Sequence, residues 1–211
     1  LSGTVCVTMD ELQTFRQFGS RCAGHPERGL LPGVEVTTGP LGQGIAMAVG
    51  MAIAERMDAA RWNVDAEAPV VDHRTWVFCG DGDLEEGISH EACSLAGAFK
   101  LDRLCLVYDS NNITIEGTAD LALVDDTRTR FEAYGWKVLE CDGHDFDAID
   151  RAFRKALKVV GQPTLIIAKT HIGMGCPTKQ DTSAVHGAPL GAEELAGLKR
   201  NLGFDPDKFF D

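Results

Sequence analysis

Two short apolar runs, each breaking off at a polar turn and separated by one helical stretch, constrain this chain more than anything else in it. Thr75-Trp76-Val77-Phe78-Cys79 is β-branched and aromatic and stops at Gly80. Leu104-Cys105-Leu106-Val107-Tyr108 repeats the pattern and stops at Asp109. Neither run alternates apolar with polar residues, which is the mark of strands buried on both faces of a parallel sheet. Between them, residues 85–100 read as a helix, with Ile88, Ala92, Leu95, Ala96 and Phe99 on one apolar stripe. The three pieces make one strand–helix–strand unit. A right-handed crossover returns both strand ends to the carboxyl edge of the sheet, where open α/β sheets bind ligands.

The residues at those strand ends narrow the ligand. Asp81 sits between Gly80 and Gly82, where bare backbone can approach a ligand closely. Asn111 lies 111 − 81 = 30 positions further on, about one such unit. A carboxylate at this place repels a bare phosphate. At ~4 Å and an effective dielectric of ~20, two unit charges interact by about 4 kcal/mol. The run Gly80-Asp81-Gly82-Asp83-Leu84-Glu85 also misses the G-x-G-x-x-G spacing of dinucleotide loops. A divalent cation between acid and phosphate removes the conflict. Asp81 and the Asn111 side-chain oxygen are hard ligands suited to Mg²⁺, with Ca²⁺ as the alternative, and a backbone carbonyl just beyond Asn111 can complete the set. The expected ligand is a metal-bound diphosphate. Taken singly, Asp81 reads as readily as a turn acid, and Asn111 more readily as a turn residue. Their pairing across one unit carries the argument.

The rest of the chain continues the alternation. Residues 9–15 read as a helix and 21–27 as a loop. Gly39-Pro40 reads as the start of a helix running through Ile45, Val49, Ile53 and Met57, whose small residues suit close packing on another helix. Residues 63–72 form a polar connection. Asp125-Asp126-Thr127 opens a helix carrying Phe131, and 136–140 is a strand. Residues 145–160 make an amphipathic helix with Ile149, Ala152, Phe153, Ala156 and Leu157 inward, and 163–168 is another buried strand. The order is that of an α/β, doubly wound, mostly parallel sheet with helices on both faces.

Length and charge fit a single domain, residues 1–211, with a sizeable core. Twenty basic against 32 acidic residues give a net charge of −12, which argues against nucleic acid or an anionic membrane as partner. The run of apolar and glycine residues 45–54 falls short of the ~20 residues that span a bilayer. Seven cysteines without a C-x-x-C read as reduced thiols, as expected of a cytoplasmic enzyme, and no structural zinc site is expected.

Several segments resemble one family. The pair Gly80-Asp81-Gly82 and Asn111-Asn112 resembles the thiamine-diphosphate motif. Glu86-Gly87-Ile88-Ser89-His90-Glu91 looks like transketolase. So do Gly24-His25-Pro26-Glu27, the string from Thr37 to Gly44, Lys169-Thr170 with Gly173 and Gly175, and His186-Gly187-Ala188-Pro189-Leu190. The resemblance runs from about Met9 to Phe204 in the family's order.

The resemblance implies a thiamine-diphosphate-binding fold. In the assembled enzyme it implies transfer of a two-carbon ketol unit from a ketose phosphate to an aldose phosphate, a reaction of the pentose phosphate pathway. It carries Mg²⁺ to Asp81, Asn111 and the Ile113 carbonyl. It sets the cofactor against Gly82, Lys169 and the Gly39-Pro40-Leu41 turn. His25 would reach the sugar, and His186 would contact both cofactor and substrate. Proton transfer by these two is a task suited to imidazole near neutral pH. Glu86 matches an acid near the cofactor and the subunit interface, although acids also favour a first helical turn for the helix dipole alone. His90 reads as a helix residue packed or hydrogen-bonded locally. The chain corresponds to the family's diphosphate-binding domain, lacking its first segment. The pyrimidine-binding and C-terminal domains, and the glutamate that activates the cofactor, are not in it. The expected partners are sugar phosphates and a pyrimidine-binding domain of the same or a second chain, within a homodimer. The chain alone is expected to be inactive. Two other readings stay open: a different thiamine enzyme, such as a dihydroxyacetone synthase or a deoxyxylulose-phosphate synthase, and a non-catalytic fragment or split-enzyme subunit.

Overall fold

The structure, a computed structural model, describes residues 7–65 and 67–209. Its centre is a sheet of four parallel strands: β1 (Thr75–Cys79), β2 (Leu104–Ser110), β5 (Lys137–Asp142) and β6 (Thr164–Lys169), in the order β1-β2-β6-β5. A short antiparallel hairpin, β3 (Ile113–Thr114) and β4 (Gly117–Thr118), follows β2. The helices are α1 (Met9–Gln13), α2 (Gln43–Trp62), α3 (Asp81–Glu85), α4 (Gly87–Ala98), α5 (Thr127–Ala133), α6 (Phe146–Ala156) and α7 (Ala192–Asn201).

The core splits along the pleat. Leu104, Leu106 and Tyr108 of β2 face Ile45, Val49 and Ala52 of α2, Cys93 and Ala96 of α4, and Phe131. Cys105 and Val107 point the other way, with Ile166, onto Ala152 and Ala156 of α6. Successive strand residues face opposite sides, so a strand covered on both must be apolar throughout. Leu104, Leu106, Leu165 and Ile166 have no measurable exposure. Each such side chain stabilises the fold by roughly 1.5–3 kcal/mol. Helices cover both faces, and the doubly wound sheet expected from the sequence is the one found.

Four local expectations are corrected. Strand β1 is an edge strand among the described residues, and Phe78 is 75% exposed. On that face Phe153 of α6 stacks on Trp76 with ring centroids 4.9 Å apart, and the cover does not extend to Phe78. The single helix over 85–100 is two, broken at Glu86 (ψ 135°), and the first begins at Asp81 itself. Of the apolar stripe on it, only Ala96 is fully buried, with Ala92 packed at the core's margin. Ile88, Leu95 and Phe99 are exposed, and the buried face of α4 is Ser89, Cys93, Ala96 and Gly97. These small side chains let α4 lie close to α2, and a methyl group on Gly97 would fall 1.8 Å from the Tyr134 carbonyl oxygen. Helix α2 begins at Gln43, three residues after Pro40, because Gly39 (φ 120°) and Gly42 (φ 77°) take left-handed backbone that forms a turn instead. Helix α6 stops at Ala156, which leaves Leu157 half exposed.

The polar connection after α2 is closed by one side chain. Asn63 Oδ1 accepts the Val70 and Val71 amides at 2.8 and 2.9 Å, and its Nδ2 donates to the Val71 carbonyl at 2.7 Å. All six cysteines among the described residues are free thiols, and five are buried. Cys6 lies outside the described residues. No described helix is long and apolar enough to cross a membrane.

Candidate functional site

A cavity of about 1000 Å³ opens at the carboxyl ends of β2, β5 and β6. The crossover places Asp81, Asn111 and Ile113 on its wall, and Lys169 joins them from the end of β6. Asp81 is the first residue of α3 and is 5% exposed. The Tyr108 hydroxyl donates to one of its carboxylate oxygens. No other described residue's side chain donates to it. Burial pushes the Asp81 carboxyl above its usual range, and the Tyr108 hydrogen bond offsets part of this. Burial and the neighbouring carboxylate raise the Tyr108 phenol in turn.

Asn111 stands in the turn that ends β2. Its Oδ1 accepts the Ile113 amide at 3.0 Å, and Asn112 beside it takes left-handed backbone (φ 62°), which asparagine tolerates. Ile113 sits opposite Thr118, and the next pair, Asn112 and Ala119, exchanges a hydrogen bond (Ala119 N to Asn112 O, 3.0 Å). Antiparallel pairs alternate, so the Ile113 carbonyl is turned away from β4. One carboxylate, one amide oxygen and one backbone carbonyl therefore share this corner, a set of hard oxygen donors. Among the described residues no group of three or more His, Cys, Asp or Glu side chains forms a metal centre.

The charge of the wall bears on what it can accept. Asp81, Asp125, Asp126, Glu140, Asp142 and Asp181 line it, against Lys169 and Arg128. Lys169 donates to the Ser110 hydroxyl at 2.9 Å, and the Thr170 hydroxyl donates to Asp109. A bare anion meets a net negative surface here, whereas an anion carried with a divalent cation does not.

The glycine-proline turn is brought to the same corner from the other side. A methyl group on Gly82 would lie 3.1 Å from Leu41 Cδ1, so Leu41 rests on the backbone next to Asp81. Asp83 ties the two loops together: its carboxylate accepts the Gly42 amide at 2.9 Å and the Gly80 amide at 3.0 Å. His25 packs on Gly39, whose methyl would fall 2.5 Å from the ring. His25, Gly39, Pro40 and Leu41 line a second cavity of about 470 Å³, whose wall also includes Asp83, two residues after Asp81.

Two expected residues are not brought in. Glu86 is exposed at the amino end of α4, with its β-carbon beside Gly42. His186 is exposed at the end of a single helical turn over Ser183–Val185, and its amide donates to the Ser183 carbonyl at 3.0 Å. It lines neither cavity. Three other residues escaped the sequence reading. Asp83 has a legible signal, since an acid three residues after a helix-capping position reaches back to its amide. Tyr108 and Arg130 have none, because their partners are distant in sequence. His90 is hydrogen-bonded as expected, but to Tyr134 and Arg130 rather than locally.

This arrangement, a doubly wound sheet with hard oxygen donors at its carboxyl edge and a glycine turn beside them, is that of a ligand-binding α/β domain. The family model described as "Transketolase, thiamine diphosphate binding domain" matches residues 1–211. The chain belongs to the transketolase family. It is 53% identical over 199 residues to a transketolase of Buchnera aphidicola, covering 94% of this chain and 30% of that protein. It is 54% identical over 200 residues to transketolase 2 of Xanthobacter flavus, covering 94% and 29%. The solved transketolase of Leishmania mexicana superposes with a TM-score of 0.94 at 48% identity, over 98% of this chain and 31% of that one. The chain thus spans less than a third of the length of these relatives.

Proposed function

We propose that this chain supplies the diphosphate- and metal-binding half of the active site of a thiamine-diphosphate-dependent transketolase. The assembled protein would move a two-carbon ketol unit between sugar phosphates. One observation carries the reading: Asp81, a nearly buried carboxylate, faces the cavity at the start of α3 with a hard-oxygen corner beside it. Burial alone disfavours its charged form, and a cation on the cavity side restores it.

In this reading Asp81, the Asn111 side-chain oxygen and the Ile113 carbonyl would hold Mg²⁺, whose charge would offset the acidic wall toward a diphosphate. Lys169 meets the diphosphate from β6. Gly82 and the Gly39-Pro40-Leu41 turn would lie against the cofactor, with His25 packed on Gly39. His25 hydrogen-bonds the sugar. His186 reaches cofactor and substrate from its loop, and Glu86 faces the subunit interface. The bound cofactor supplies the electron sink for carbon–carbon cleavage, and these residues supply binding, orientation and proton transfer. The half of the site that activates the cofactor comes from a pyrimidine-binding domain of the same or a second chain, in a cytoplasmic homodimer. Free thiols suit a reducing compartment.

The test is titration of thiamine diphosphate into the complete protein by calorimetry, with and without Mg²⁺. Asp81→Ala should abolish the Mg²⁺-dependent binding while circular dichroism stays unchanged. Equal affinity in the variant overturns the assignment.

A further inference from the structure

The short helix that presents Asp81 cannot hold itself. Helix α3 has five residues, well below the length at which a helix is stable alone. Its last carbonyls have no intrahelical partner, and buried carbonyls need one. The structure provides two. The Ser89 hydroxyl donates to the Asp83 carbonyl. The Arg130 guanidinium, from α5, donates to the Leu84 carbonyl at 3.1 Å. Leu84 is three residues from Asp81, about 4.5 Å along a helix axis.

Arg130 is held through one nitrogen, Nη1, while its buried Nε has no hydrogen-bond partner among the described residues. Its side chain is 10% exposed, and the same nitrogen pairs with Asp125 at 3.0 Å. Asp125 lines the main cavity. That nitrogen also lies 3.1 Å from His90 Nε2. A guanidinium only donates, so His90 Nε2 accepts and the imidazole proton sits on Nδ1, 3.1 Å from the Tyr134 hydroxyl. One side chain therefore joins the cavity wall, the end of α3 and the first turns of α4.

We infer that Arg130 is a positioning residue for the metal–diphosphate corner: it fixes the carbonyl end of α3 and so fixes where the Asp81 carboxylate stands. It touches neither metal nor cofactor. The inference rests on the reading of Asp81 given above.

The experiment measures, in the complete protein, the Mg²⁺ concentration for half-maximal binding of thiamine diphosphate, together with the thermal midpoint. Groups that orient a metal ligand typically cost 10–100-fold in affinity when removed. Arg130→Ala should raise the half-maximal Mg²⁺ concentration at least tenfold. Arg130→Lys, which keeps a donor for the Leu84 carbonyl, should recover most of it. Val138→Ala serves as the reference, since it loosens the same core without touching that carbonyl. If Arg130→Ala does not fold, Arg130→Met, which keeps bulk and removes the donor, is compared with Val138→Ala, and a larger Mg²⁺ shift in Arg130→Met at matched thermal midpoint supports the inference. Equal Mg²⁺ requirements in Arg130→Met and Val138→Ala at matched midpoint overturn it, as does an unshifted Arg130→Ala. A wild-type protein whose binding ignores Mg²⁺ would instead remove the reading of Asp81 itself.

Discussion

Residues 80–113 and residues 171–190 both border the same cavity, and they are held in different ways. In the first, Asp81 and Asn111 are placed by parallel-sheet geometry, and the Asp83 carboxylate and the close contact of Gly82 with Leu41 tie the stretch to the turn before α2. In the second, Pro177 packs against Gly197 of α7, and Glu194 of α7 accepts the Thr178 and Lys179 amides at 2.8 and 3.0 Å. Asp181 pairs with His171 at 3.0 Å. Beyond Thr182 only local turns, Val185 against Gly173 and the Lys179 bond to the Leu190 carbonyl remain, and His186 stays in solvent. A site residue at the end of a buried strand is set by this chain's own core. A site residue on the long loop is not.

The sharpest break of that comparison is a side chain where backbone meets backbone. Gly97→Ala should destabilise the domain by about 3 kcal/mol, through its clash with the Tyr134 carbonyl. In the loop, Gly187 has left-handed backbone (φ 70°) and open space around it. Gly187→Ala should cost about 1 kcal/mol, from the backbone alone. Chemical denaturation of the two variants measures both, and equal losses would erase the distinction.

Acid should reach the loop through Glu194. The Thr178 amide holds its carboxyl below the ordinary value of 4.5. A lowered carboxyl adds stability above the unfolded-chain value and loses it as pH falls through the folded one. Hydrogen exchange at Thr178 and Lys179 should therefore stay protected from neutral pH to about 4.5 and open below it. In Glu194→Gln the protection should be weaker at neutral pH and flat across this range. Wild-type protection that does not change on acidification would mean that packing, not the carboxylate, holds this end.

The smallest effect belongs to His186. His186→Ala should move the stability by less than about 0.5 kcal/mol, as expected of an exposed side chain. Turnover of the complete protein should nonetheless fall. A clear drop in thermal midpoint would show that the side chain is packed after all, and the loop would no longer contrast with the strand ends.

The strand–helix–strand unit was legible because its information is local: two apolar runs, two turns and the distance between them. Its helix was misread for a physical reason. A search for large apolar residues finds Ile88, Leu95 and Phe99, whereas close packing of α4 against its neighbours, the Tyr134–Trp136 segment among them, selects small ones, and these sit at Ser89, Cys93, Ala96 and Gly97. The oxygen donors proposed to hold a metal were legible from residue type and spacing, as far as their place on the cavity wall. Their support could not, since Tyr108 finds Asp81 from 27 positions away and Arg130 finds Leu84 from 46. Such pairs exist only once the sheet has formed.

Asn63 closes the segment after α2 from both sides with a single amide. The stretch between Val64 and Pro69 is therefore insulated from its flanks: tension within it ends at Asn63 and Val71 and does not reach α2 or β1. Doubling a flexible loop's length costs only about 0.6 kcal/mol. A dye, an affinity handle or a small reporter domain spliced there would ride on the molecule without disturbing the carboxyl edge of the sheet on the opposite side.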